Sequence, residues 1–176
     1  MACKIVRIEG VRSSSRRTVV FLEDDADESV DAKAAFDDLD SKTKRDVLSR
    51  FEHWVDGGVH DDYHHGWNDE KYGSCYCFRW RRGTNRYRLY GFLVNPMAKT
   101  NPRHQVCVLA FYAQKNAQDT DKSILNELTL RKGSQVALSA INAEFPDGTN
   151  QVQRQGNGKK TLRKGESAQK LDRRKR

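Results

Sequence analysis

The chain has 176 residues and a formal charge of +8, with 36% hydrophobic and 32% charged residues. That length suits one domain of ordinary size with appendages, able to bury a core without disulfides or a metal. No apolar run is long enough to span a bilayer, and MACKIVRIEG lacks the apolar stretch of a signal peptide. A cytoplasmic location is therefore expected, with Cys3, Cys75, Cys77 and Cys107 reduced.

The charge is unevenly placed. Ten of the 32 basic residues but only two of the 24 acidic ones lie from Asn150 onward, a surplus of eight. Residues 1–149 thus hold 22 of each sign and are neutral overall. Within them the acids crowd around 23–46 and the arginines around 79–88, and a local basic face says more about partners than a basic average.

In chain order, KIVRIEGV (4–11) and RTVVFLE (17–23) read as short strands. A helical hairpin follows. Ser29 is a plausible N-cap, and Ala32, Ala35, Phe36 and Leu39 share one helix face. Asp40-Ser41 makes a turn or a new cap. Val47, Leu48, Phe51, Trp54 and Val55 form a second stripe, which Gly57-Gly58 ends. Residues 59–74 read as a loop. Strands are expected over 75–82, 86–94 and 104–113, the first two joined by a turn at RGTN. A helix capped by Thr120 carries Ile124, Leu125 and Leu128, Gly133 breaks it, and 134–144 continues as a short helix.

The expected architecture is α+β: a helical hairpin packed on a small, twisted, mostly antiparallel sheet, with a C-terminal helix. Residues 1–16 form an N-terminal strand or extension, 17–145 the main domain, and 146–176 a basic, disordered tail.

The stretch CYCFRWRRGTNRYRLYGFLV (75–94) carries five arginines and no acid. Alternation along a strand puts Tyr76, Phe78 and Trp80 on one face. A turn at Gly83-Thr84 pairs Trp80 with Tyr87 and Phe78 with Leu89 on the side facing the helices. The same register sets Arg81 against Arg86, Arg79 against Arg88 and Cys77 against Tyr90 on the other side. Like charges directly opposite destabilise a sheet by roughly 0.2–1 kcal/mol per pair. An anion between them reverses that penalty, and guanidinium forks fit phosphate oxygens. Tyr90 can stack on a base or donate a hydrogen bond. Arginines on an open sheet face can equally serve solubility alone.

His60, His64, His65, Cys75 and Cys77 fit no usual zinc spacing, because Cys-x-Cys on a strand lacks the turn of Cys-x-x-Cys. Neither a metal nor another cofactor is expected. Cys107 reads as a small core residue.

The ordered set of helical hairpin, GSCYCFRWRRGTNRYRLYGFLV and HQVCVLAFYAQKNAQDTD resembles the RelE/ParE superfamily of bacterial and phage toxins, in its RelE/HigB-like branch, over about residues 17–130. The resemblance implies a compact microbial RNase fold and a cytoplasmic, metal-independent mRNA endonuclease acting in the ribosomal A site. In that chemistry the ribose 2′-hydroxyl attacks the adjacent phosphate. It also implies mRNA and the ribosome as partners, and a cognate antitoxin of helix-turn-helix type. By position, Arg88 matches the family's catalytic arginine, Arg79 a basic residue on the preceding strand, and Lys115 one after the last strand. Cys77 stands where a lysine is usual, and Gln114-Lys115 replaces a Lys-Lys ending.

Arginine hardly deprotonates, so His104, His64 or His65 is the better candidate for proton transfer, with Tyr90 and Tyr112 as alternative donors. The expected catalytic set is Arg79, Arg88, His104, Lys115 and Tyr90. Arg81, Arg82 and Arg86, with Lys159 and Lys160 of the tail, are expected to bind RNA phosphates. A non-catalytic ParE-like inhibitor of DNA gyrase and a phage-type nucleic-acid-binding accessory protein are the alternatives.

Overall fold

A computed structural model describes residues 3–115 and 120–147. The elements are β1 (Cys3–Arg7), β2 (Arg17–Asp24), α1 (Ala32–Asp37), α2 (Ser41–Val55), β3 (His64–Gly66), β4 (Cys75–Arg82), β5 (Asn85–Val94), β6 (Gln105–Lys115), α3 (Lys122–Gly133) and α4 (Gln135–Glu144). They build an α+β domain around one six-stranded mixed sheet in the order β1-β2-β6-β5-β4-β3. Only the central β2–β6 pairing is parallel; the other four are antiparallel.

Both sheet faces are covered, by different helix pairs. On one face Phe36 of α1 and Val47, Phe51 and Trp54 of α2 pack on Val19, Phe21, Phe78, Trp80, Leu89 and Leu109. On the other, Leu125 and Leu128 of α3 and Ala137 and Ile141 of α4 pack on Val20, Leu22, Cys75, Cys77, Tyr90, Phe92 and Val108. Period-two alternation in β2, β4 and β5 supplies both apolar faces. Arg131 ties α3 to the end of β2, pairing with Asp24 at 3.1 Å and also with Asp27.

The second helix is firmly bounded. The Asp40 carboxylate accepts from the amides of Lys42 and Thr43, both at 3.1 Å, which satisfies donors that the first helical turn leaves open. At the other end Gly57 has φ +91°. The Gly58 amide then reaches the His53 carbonyl and the Gly57 amide that of Trp54, a Schellman closure that favours glycine.

Several sequence expectations shift. The first strand stops at Arg7 and pairs with β2, so residues 1–16 include part of the sheet itself. Ser29 caps no helix. α1 starts after Asp31, whose carboxylate accepts instead from the Tyr112 amide at 2.7 Å. The supposed loop 59–74 contains β3, three residues long and paired with β4. Asp121, not Thr120, caps α3. A bulge interrupts β5–β6 between Tyr90 and Gly91. There a β-carbon on Gly91 would lie 2.4 Å from the Val108 carbonyl oxygen, so glycine permits the close strand approach. The expected tail from residue 148 onward, Lys159 and Lys160 included, lies outside the described residues. Among the described residues no helix is long and apolar enough to cross a membrane.

Candidate functional site

The hairpin register matches the alternation argument: Arg79 lies opposite Arg88, Arg81 opposite Arg86, and Cys77 opposite Tyr90. Gly83 (φ +60°) allows the tight connection. β6 extends the rows, with Lys115 beside Arg86 and Ala113 beside Arg88. Cys77, Tyr90, Phe111 and Ala113 belong to the core beneath α3 and α4. Arg79, Arg81, Arg86, Arg88 and Lys115 therefore continue that same face beyond the apolar zone, toward the hairpin end.

Burial is graded along the face. Tyr90 is fully buried and Arg88 is only 4% exposed. Arg88 Nη1 donates to the Tyr90 hydroxyl at 3.1 Å and to Thr120 Oγ1 at 3.0 Å. Thr120, next to the α3 cap Asp121, thus reaches across to the arginine row, and Tyr90 acts as a holder of Arg88. Arg81, near the tip, is exposed.

A cavity of about 490 Å³ opens against this row, lined by Arg79, Arg81, Arg86 and Arg88 with Trp80, Asp62, Tyr63 and Arg50 of α2. Five guanidiniums face one carboxylate there. Arg79 Nη2 meets the Asp61 carbonyl and lies 3.5 Å from Asp62 Oδ1, a carboxylate that is 77% exposed. The Nε atoms of Arg79 and Arg50 are buried without an acceptor among the described residues. Arg50 and its support by Tyr63 were not legible in the sequence, since one arginine on the polar side of a helix looks like any solvated charge.

Other anticipated residues fall elsewhere. Arg82 shares strand parity with Trp80, on the α1–α2 side, and pairs with Asp40 at 2.9 Å. His104 sits just before β6, nine residues from Ala113, so about 30 Å of strand separates it from Arg88. It is buried, with Nε2 3.3 Å from Thr18 Oγ1 and Nδ1 3.3 Å from the Ser15 carbonyl oxygen. Tyr112 faces α1 and α2, stacked with Tyr87.

The two β3 histidines part company. His64 is held between the Tyr76 hydroxyl (2.7 Å) and His53 (3.4 Å) on the α2 side. His65 turns to the arginine side, where its ring lies 3.5 Å from Cys77 Sγ. Desolvation pushes both down to about 4, with His53 adding to the effect at His64 and Arg79 and Arg88 at His65. The Cys77 thiol is pushed up to about 12 by burial, which makes it an inert core group. Cys75 meanwhile contacts the Leu125 carbonyl and Thr129 under α3. Among the described residues no three such donors converge as a metal site.

Chemically, the arrangement is a rigid cationic cradle: fixed forks on paired strands, shielded at one end by core and open at the other. Such a cradle stabilises a polyanion whose charge grows during reaction, or binds one without reacting. No family model, curated protein or solved structure matches this chain.

Proposed function

We propose that this protein is a RelE-like endoribonuclease whose arginine face binds and stabilises the scissile phosphate of mRNA. The observation that carries the reading is the convergence of Arg79, Arg81, Arg86, Arg88 and Lys115 on one sheet face beside an arginine-lined cavity. The succession β2-α1-α2-β4-β5-β6-α3 also agrees with the strand and helix order that the RelE resemblance rests on, with β1 and β3 as additions. In this reading the 2′-oxygen forms a bond to phosphorus while the bond to the 5′-oxygen breaks. The products are a 2′,3′-cyclic phosphate and a 5′-hydroxyl, the proton lost from the 2′-hydroxyl passing to solvent and the 5′-oxygen taking one up from solvent. Fixed guanidiniums stabilise the extra negative charge at the phosphoryl oxygens without reorganising.

The test is induction of the chain in a bacterial host with mapping of new RNA ends, beside an Arg79→Ala/Arg88→Ala variant. Because Arg88 is buried, an Arg81→Gln/Arg86→Gln variant, checked for native circular dichroism, is run in parallel. Translation arrest with new 5′-hydroxyl ends is expected, reduced about a hundredfold in the variants. Induction without new RNA ends would refute the reading. Arg88, held by Tyr90 and Thr120 rather than open to solvent, favours a non-catalytic inhibitor of DNA gyrase as the second reading, which DNA damage without RNA cleavage would identify.

A further inference from the structure

The cavity is not confined to the sheet. Arg50 enters it from α2, which packs on the opposite face, by reaching around the edge of β4. Its Nη1 donates to the Arg79 carbonyl at 2.9 Å and to that of Asp62 at 3.4 Å. Its guanidinium carbon lies 4.3 Å from the centroid of the Tyr63 ring. Tyr63 in turn stacks on His60, with centroids 3.9 Å apart and planes 6° from parallel. A guanidinium laid on a ring that is itself backed by a second ring, and tied to two carbonyls, is held in position before any ligand arrives. Its Nε is nevertheless buried without an acceptor, as is that of Arg79 beside it. Two adjacent guanidiniums that are anchored through Nη but each keep a buried Nε–H without an acceptor are costly unless something completes them.

We propose that Arg50 is a second phosphate ligand, held in place by Tyr63, so that the protein grips two consecutive phosphates of a single strand. One phosphate lies on the Arg81–Arg86–Arg88 side and the next between Arg79 and Arg50. The inference rests on the reading of the arginine face as a nucleic-acid site and adds a subsite to it. It also selects single strands, because the subsite lies around the strand edge, where a flexible backbone can turn and a stiff duplex cannot.

The experiment measures binding of a labelled 2′-O-methyl RNA octamer, which lacks the attacking hydroxyl, by fluorescence anisotropy from 50 to 300 mM salt. For single strands the slope of log K against log salt is about −0.7 per neutralised phosphate. Arg50→Gln is expected to make the slope shallower by about 0.7 and to weaken binding at low salt about tenfold. Tyr63→Leu leaves α2 intact and is expected to do the same, whereas Tyr63→Phe keeps the stack and the wild-type slope. An unchanged slope in folded Arg50→Gln and Tyr63→Leu, or a wild-type chain that does not bind the octamer at 50 mM salt, overturns the proposal. A duplex of the same strand binding as tightly as the octamer also overturns it. RNA cleavage in cells with an unchanged slope sinks the subsite alone. An Arg50-dependent slope without cleavage sinks the endonuclease reading alone.

Discussion

Asp62 shows how finely the charge of the site is set. Its carboxylate stands 3.5 Å from Arg79 at the mouth of a cavity otherwise lined by guanidiniums, Tyr63 and Trp80. An exposed pair of this kind stabilises the fold by little, about 0.2–1 kcal/mol, but it competes directly with an incoming phosphate. Asp62→Asn is therefore expected to tighten binding of the uncleavable octamer by up to about fivefold, with a melting temperature lowered by no more than about 4 °C. Weaker binding in the same titration would mean that Asp62 orients Arg79 rather than screening it. The Arg79–Arg88 and Arg81–Arg86 oppositions were legible because they need only strand alternation and the position of the Gly83 turn. Arg82 was legible by the same rule, since the parity that turns Trp80 inward turns Arg82 with it. Its grouping with the phosphate ligands followed from sequence proximity, which the pleat overrides.

Among the elements, α2 and the β5–β6 junction have the clearest mechanical roles. Asp40 closes the start of α2 with two amide bonds and a third from the Thr43 hydroxyl at 2.8 Å. Asp40→Ala is expected to cost about 1 kcal/mol, read as a lower urea midpoint with an unchanged m-value. At the bulge, Gly91→Ala drives a methyl into the Val108 carbonyl. A loss of about 1–3 kcal/mol is expected in the same melts, and stability equal to wild type would show that the two strands can separate there freely. α2 could be read from its stripe and its Gly-Gly stop. β3 could not, because three residues, His-His-Gly, carry too little periodicity to stand out from a polar segment. The cover provided by α3 and α4 was likewise hidden. Cys75, Cys77 and Tyr90 look as suited to an open face as to a buried one until their helical neighbours are in place.

At the scale of the whole molecule, two histidines couple folding to acidity. His64 and His65 have pKa values pushed down to about 4, while in the unfolded chain they titrate near 6.5. Above about pH 6.5 both states hold them neutral and their contribution is fully present. As pH falls from 6.5 toward 4 the unfolded chain takes up two protons that the folded one refuses, so stability drops across that window. Melting temperatures measured between pH 8 and pH 4 are expected to fall with acid, and less steeply in His64→Asn/His65→Asn. Parallel slopes for the two proteins would assign the acid sensitivity to other groups.

The parallel junction of β2 with β6 joins Arg17–Phe21 to Gln105–Leu109, segments more than eighty residues apart. A pairing across so long a loop forms late, after local helices and hairpins. During synthesis, which delivers the amino-terminal part first, β2 must wait unpartnered on its inner edge until β6 has been made. Lys115, at the far end of β6, completes the basic row last. A nascent chain halted between residues 94 and 105 thus possesses the arginine hairpin but neither the strand that braces it nor the threonine ahead of α3 that steadies Arg88. The cationic cradle is complete only once the chain has been made as far as Thr120.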